Sequence, residues 1–436
     1  MYEKFVNRDE ELKFLREAYD SERAELLIIY GRRRVGKTAL VKKSIEKRKH
    51  IYFFAEETLE EENLRNFRIL VGKYLKNELV EKAELEWEEL FRMLKDEKIV
   101  VVIDEFPNMI KENKGIVSKF QKIWDEILAE TKVKLVLLGS SISVMESQVL
   151  GYQSPLYGRR TGQIHLKPLR FTHVAEFFPE HRTEEVVRIF GLTDGIPAYI
   201  WEVQYRFKVG EKFEEVFLPN KPLFEEAEYL LRYEIRDPVR YAQILKAIAL
   251  GYTKFGEIVN FTGFPGSTVS QYLSNLQTLH IVNEEYPVGE PRKRNARYKI
   301  ADNYFTFYFR FIYPNKSILL DGSRIPDFER KYNQYLGHVF ERIAREFVIE
   351  MNAKNKLPFH VNEIGRWWSK GEEIDIVAIN REKKKALLVE VKWSNLNERD
   401  VNKIIGNLSK KSGPKSIRGY EKYYGVFAKN IDNKEK

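Results

Sequence analysis

The chain is expected to be α/β and to hold several domains. A parallel sheet flanked by helices comes first, then a mostly helical segment, a winged helix-turn-helix and a second α/β domain. Three observations predict this. Short β-rich apolar runs alternate with amphipathic helical stretches through the first 170 residues. From residue 238 the pattern becomes helix, helix, Gly-containing turn, helix and two-stranded ribbon. Near the end, two strand-like runs carry acids and a lysine where a buried strand is ordinarily apolar. A length of 436 residues exceeds one ordinary core, and 43% hydrophobic residues with 13% aromatics suffice to fill several.

Strands are expected at Glu25–Tyr30, His50–Phe54, Ile99–Asp104 and Lys134–Gly139, each a short apolar run bounded by polar residues. Between them, helices are expected at Thr38–Lys47, Glu60–Asn77 and Val117–Glu130. Residues 171–237 read as a helical lid and 238–315 as the winged helix, with Pro314 and Asn315 marking a boundary. The last domain, 330–436, opens with an amphipathic helix around Tyr332–Met351 and passes into strands.

The composition excludes several classes. With no cysteine, there is no disulfide framework, thiolate nucleophile or Cys-based zinc site. No apolar run reaches membrane-spanning length, and the charged opening "MYEKFVNRDEEL" is unlike a secretory signal, so a cytoplasmic location without membrane partners is expected. The formal charge is +9; residues 381–436 hold fifteen Lys/Arg against seven Asp/Glu, and so carry eight of that excess. Such a basic tail is either a solvated face or a surface for a polyanion.

"GRRRVGKT", Gly31 to Thr38, matches G-x-x-x-x-G-K-[ST] between the strand "ELLIIY" and the helix "ALVKKSIEK". Glycines let backbone N–H groups curl around a β-phosphate, and the helix N-terminus adds a favourable dipole. Lys37 is expected on the β/γ-phosphates and Thr38 on magnesium, with Gly31, Arg32, Arg34, Val35, Gly36 and Ala39 around them. In "KIVVVIDEF", Asp104 emerges from a buried strand to hold magnesium through water, and Glu105 is placed to orient the attacking water. Ser140 or Ser141, at the tip of "KLVLLGSS", either senses the γ-phosphate or caps a helix. Arg159 and Arg160 of "SPLYGRR" offer a guanidinium finger or a solvated surface, and Arg32–Arg34 either touch phosphate or stay solvated.

In "GSTVSQYLSNLQTL", Ser267/Thr268 is expected as N-cap, with Val269, Leu273 and Leu276 inward and Ser270, Gln271 and Asn275 outward. The ribbon concentrates Arg292, Lys293, Arg294, Arg297 and Lys299, fitting a wing on a nucleic-acid groove. A protein-docking module is the alternative.

In the last domain, "EIDIVAI" and "ALLVEVKW" flank the turn-like "NREKKK", which predicts an antiparallel hairpin with Asp375 across from Glu390. Glu390 and Lys392 share one strand face. Two converging carboxylates suit a divalent cation, and a nearby lysine suits phosphodiester hydrolysis. A buried Asp–Lys–Glu ion triad serving only the fold is the alternative. Trp367, Trp368 and Trp393 either stack on bases or pack in the core.

Two family resemblances rest on these motifs. "FVNRDEEL", "GRRRVGKT", "IDEFP", "LLGSS", "YGRR" and "DGIPAYI" resemble, over roughly the first 235 residues, the archaeal ATPase family of STAND/AAA-like P-loop NTPases. That implies a P-loop NTPase parallel sheet at 1–170 with a helical lid, ATP and magnesium as cofactors, Asn7 and Arg8 bordering the adenine, and Gly195–Pro197 in the lid. Asp375, Glu390 and Lys392 resemble the PD-(D/E)xK, restriction-endonuclease-like nucleases over about the last 105 residues. Ile374 stands where that motif has proline. The resemblance implies magnesium or manganese at Asp375 and Glu390, joined by Glu341 from "GHVFERIAREF". The expected function is ATP hydrolysis coupled to action on DNA, with a nuclease domain last. The alternatives are a nucleotide-dependent switch or scaffold that does not cleave, and a translocating motor. ATP/ADP and DNA are the expected partners, with a second copy of the chain as a further one.

Overall fold

The computed structural model describes residues 5–235, 237–290 and 295–432. They fall into two compact units, Met1–Pro168 with Ile196–Ala198, and Leu169–Gly195 with Tyr199–Lys436.

In the first unit, strands β1 (Glu25–Tyr30), β2 (His50–Phe54), β3 (Val100–Asp104), β4 (Lys134–Gly139) and β5 (Gly162–His165) form a parallel sheet ordered β2-β3-β4-β1-β5. β1, β3 and β4 are buried at every residue because both sheet faces are covered. Neighbours along a strand point to opposite faces. Leu26, Ile28, Val101 and Ile103 therefore meet Trp87 and Phe120, while Leu27, Ile29, Val100 and Val102 meet Leu12, Leu15 and Leu40. The expected helices are Lys37–Ile45, Glu60–Leu75 and Ile116–Ile123, the last continued by a π-helical turn, Trp124–Leu128. β5, with the short polar sequence "GQIH", has no hydrophobic pattern by which to be expected; its backbone pairing to β1 makes it a strand.

In the second unit, the winged helix comprises Pro238–Ala249, Phe255–Thr262 and Gly266–Thr278, with an antiparallel ribbon of β6 (Val282–Glu285) and β7 (Arg297–Ile300). The N-cap of the third helix is Pro265 rather than Ser267/Thr268, because Gly266 already takes helical geometry. Arg292, Lys293 and Arg294 lie outside the described residues.

The C-terminal sheet follows the helix Phe328–Ala353. It contains β8 (Glu363–Ser369), β9 (Glu372–Asn380), β10 (Lys385–Asn397) and, after the helix Glu398–Lys410, β11 (Glu421–Asp432). The order is β11-β10-β9-β8, with β8–β9 and β9–β10 antiparallel and β10–β11 parallel. The parallel pair requires the intervening helix as a crossover. The ribbon loop reaches this sheet. Val288 is only 8% exposed and packs with Trp367, Ile374 and Ile417, and its N–H donates to the Arg366 carbonyl at 2.8 Å. Gly365 permits that approach, since a Cβ there would stand 3.1 Å from Val288 Cβ. Among the described residues, no helix is long and apolar enough to cross a membrane.

Candidate nucleotide site and C-terminal charged cluster

β1 delivers the loop. Gly31 has φ +153°, and a Cβ there would lie 2.3 Å from the Leu166 carbonyl oxygen, so only glycine fits. Gly36, at φ +98°, turns the chain into the Lys37–Ile45 helix. Lys37 is 5% exposed and donates to the Gly31 and Arg32 carbonyls at 2.8 and 3.0 Å. Burial pushes its pKa down to about 8, against the pull of Glu105 and Asp104. The Thr38 hydroxyl donates to Asp104 Oδ2 at 2.8 Å. Asp104 ends β3, buried at 2% exposure, and its Oδ1 accepts the Glu105 N–H at 3.0 Å. A hydroxyl and a carboxylate side by side at a helix N-terminus are the oxygen donors that suit magnesium.

Glu105 has a left-handed backbone, φ 58°, and its carboxylate accepts the Ser140 N–H at 3.1 Å and the Ser140 hydroxyl. Ser140 thus faces the acid, while Ser141 occupies the cap position of Ile142–Val144 without a side-chain cap bond. Arg159 is tied to Asp125 at 2.7 Å, and Arg160 donates to the Leu150 carbonyl at 3.1 Å. Arg160 still acts electrostatically on Tyr30, the residue before Gly31. Asn7 and Arg8 both have left-handed backbones, and the buried Arg8 guanidinium holds the Lys167 carbonyl at 2.6 Å and Glu11 at 3.1 Å. Val35 is fully buried beneath the loop, Ala39 half-buried, and Thr38 exposed.

The C-terminal charges lie on β9, β10 and flanking helices. The hairpin register runs to Val389 opposite Ile376, and Glu390 and Asp375 are the next residue on each strand. Asp375 Oδ2 accepts the Val391 N–H at 2.8 Å. Burial, reinforced by Glu341 and Glu390, raises the Asp375 pKa to about 6 despite that hydrogen bond and Lys392. Glu390 has one oxygen on Lys392 and the other on Lys411, each at 2.8 Å. Burial would raise its pKa, but the two lysines hold it below the usual range. Glu341 pairs with Arg366 at 3.4 Å and His338 at 3.3 Å.

Glu341, Asp375 and Glu390 were expected to converge as metal ligands. Among the described residues, no three acidic or histidine side chains are grouped to hold a metal ion. The reason is pairing: Glu390 is held by two ammoniums, Asp375 by backbone and Glu341 by Arg366. A divalent cation at these acids would require the Glu390 and Glu341 pairings to open. Lys411, which no motif marks, closes Glu390 from the end of the Glu398–Lys410 helix.

The wing and tryptophans are also engaged. Arg297 pairs with Glu373 at 2.5 Å and lies 4.6 Å over the Trp368 ring. Trp367 Nε1 donates to Glu290 and Trp368 Nε1 to the Asn295 carbonyl, both at 3.0 Å. Trp367 and Trp368 are therefore core residues rather than base-stacking platforms. Trp393 packs on Phe340, with ring centroids 5.1 Å apart. On the third winged helix, Ser270 and Gln271 are exposed, whereas the Asn275 side chain donates to Tyr241 at 2.7 Å.

Known proteins match along most of this length. A family described as an ATPase domain predominantly from Archaea matches residues 5–203. An uncharacterized protein of Methanocaldococcus jannaschii is 47% identical over 433 residues, covering 99% of this chain and 97% of that protein. The chain belongs to the archaeal ATPase family. A second family, described as archaeal and bacterial proteins of unknown function, matches residues 308–404, which include Glu341, Asp375, Glu390 and Lys392. A shorter relative from M. jannaschii, an uncharacterized ATP-binding protein, is 58% identical over 45 residues, 10% of this chain and 76% of its own. Among solved structures, a Walker-type ATPase of Pyrococcus abyssi aligns with a TM-score of 0.54 and 23% identity, over 70% of this chain and 96% of that one. That likeness bears on the fold of this archaeal ATPase.

Proposed function

We propose that this archaeal ATPase hydrolyses ATP at the Gly31–Thr38 loop and uses the cycle to control engagement of DNA. The observation that carries the reading is the Thr38–Asp104 contact beside Lys37 and Glu105. Thr38 and Asp104 would hold a magnesium ion, which would supply charge neutralisation for the phosphates. Lys37 leaves its carbonyl partners for the phosphate oxygens, where a cation gains more. Glu105 orients a water in line with the γ-phosphorus and takes its proton, while the bond to the β-phosphate bridging oxygen breaks to leave ADP and phosphate. Asn7, Arg8, Arg32, Arg34, Val35 and Ala39 frame the nucleotide, and Arg160 is the candidate transition-state cation. DNA engagement falls to Ser270 and Gln271 on the exposed face of the third winged helix.

Phosphate release from ATP by wild type, Lys37→Ala and Glu105→Gln tests the first half; equal release by wild type and Lys37→Ala sinks it. Anisotropy of labelled duplex DNA with and without ATP tests the second, and affinity that ignores nucleotide in wild type removes the coupling.

A second reading concerns 330–436. The helix–three strands–helix–strand order, with acids on β9 and β10 and Lys392 two residues on, supports a restriction-endonuclease-like domain that cleaves phosphodiesters. The pairing of Glu390 with Lys392 and Lys411 favours a non-cleaving scaffold instead. Nicking of plasmid DNA in magnesium or manganese, lost in both Asp375→Ala and Lys392→Ala, supports cleavage. Absence of nicking by wild type in either metal leaves the scaffold.

A further inference from the structure

Beside the nucleotide loop stands a side chain that belongs to neither the loop motif nor the strand-end acids. Tyr52 lies on β2, whose parallel register with β3 sets Tyr52 against Val102 and Phe54 against Asp104. Its hydroxyl donates to Asp104 Oδ2, the oxygen that also accepts Thr38. Asp104 Oδ1 is meanwhile held by the Glu105 N–H at 3.0 Å. Both oxygens of a carboxylate that is 2% exposed are thus fixed. The Tyr52 ring packs at the margin of the core formed by Leu12, Leu40 and Val102, with the Lys42 ammonium 5.2 Å over its face. Phenylalanine would preserve that packing and remove only the hydroxyl.

The two hydroxyls on Oδ2 come from different places. Thr38 belongs to the loop helix and can face a cation with its lone pairs while its proton stays on Asp104. Tyr52 comes from β2, outside the loop, and holds the same oxygen from there. We infer that Tyr52 is a positioning residue for magnesium–nucleotide binding, fixing the orientation of the Asp104 carboxylate from outside the loop. Partners that orient a metal-facing acid act on metal affinity through that acid. The inference rests on the nucleotide reading above.

The test measures binding of a fluorescent ATP analogue to the full chain across a magnesium titration, for wild type, Tyr52→Phe and Tyr52→Leu. In Tyr52→Phe, the magnesium giving half-maximal nucleotide affinity rises about 5-fold, the equivalent of one net hydrogen bond. The thermal midpoint falls by no more than about 4 °C, the cost of one hydrogen bond in a domain of this size. At saturating magnesium, KM for ATP is unchanged and kcat falls. A Tyr52→Phe curve that coincides with wild type overturns the inference alone, and if Tyr52→Leu then loses stability, Tyr52 is a packing residue. Wild type that binds no nucleotide at any magnesium concentration overturns the nucleotide reading and this inference together.

Discussion

The nucleotide loop and the β9–β10 cluster use the same residue types, lysines facing acids, to opposite ends. At the loop, Lys37 is hydrogen-bonded to backbone carbonyls, and burial depresses its pKa to about 8. At the cluster, burial works against Lys392 too, but Glu390, Asp375 and Glu341 outweigh it and raise its pKa. One lysine therefore has strong charge partners still to gain, whereas the other already has them. A site of the first kind is built to receive an anion. A site of the second kind is largely neutralised from within, so removing one member leaves its partners without a counter-charge.

That contrast can be broken at either end. Lys37→Ala is expected to reduce phosphate release from ATP at least about 100-fold. The urea midpoint should change little, since the carbonyls it leaves can be hydrated. Glu390→Ala is expected to do the reverse, costing on the order of 2 kcal/mol in urea unfolding because Lys392 and Lys411 lose their shared acceptor. If Lys37→Ala destabilises the fold as much as Glu390→Ala does, the distinction fails.

A smaller effect tests Asp375 by pH. A carboxyl whose folded pKa is raised binds its proton more tightly when folded, so its contribution is present at low pH and is lost as pH climbs from the ordinary aspartate range toward 6. Asp375→Asn is therefore expected to be more stable than wild type at pH 7.5, by on the order of 1 kcal/mol. The gap should close by pH 4, and thermal unfolding across this range checks it. The smallest effect is expected at the wing. Arg297 already pairs with Glu373, so Arg297→Ala should leave the salt dependence of DNA affinity unchanged. A slope reduced by about one would return Arg297 to the phosphate backbone.

Much of the nucleotide site was legible because its parts are local. Gly31, Gly36, Lys37 and Thr38 lie within one turn of chain, and their spacing alone states the backbone geometry. Asp104 and Glu105 could be added because a run of branched residues can hardly be anything but a buried strand. Asp375, Glu390 and Lys392 were readable as a charged hairpin for the same reason. Nothing in the sequence marked Tyr52, Lys411, Arg366 or Val288. Their contacts, Lys411 with Glu390, Arg366 with Glu341, Tyr52 with Asp104 and Val288 with Arg366, span 21 to 78 residues of chain, where periodicity carries no signal.

The sequence by itself determined β1 to β4, the nucleotide loop, the winged-helix order and the charged hairpin, because these follow from short-range sterics and from which residues avoid water. Only the tertiary structure decided which acids have partners. A carboxylate's chemistry depends on the charges within a few ångströms of it, and those arrive from segments that folding alone brings together.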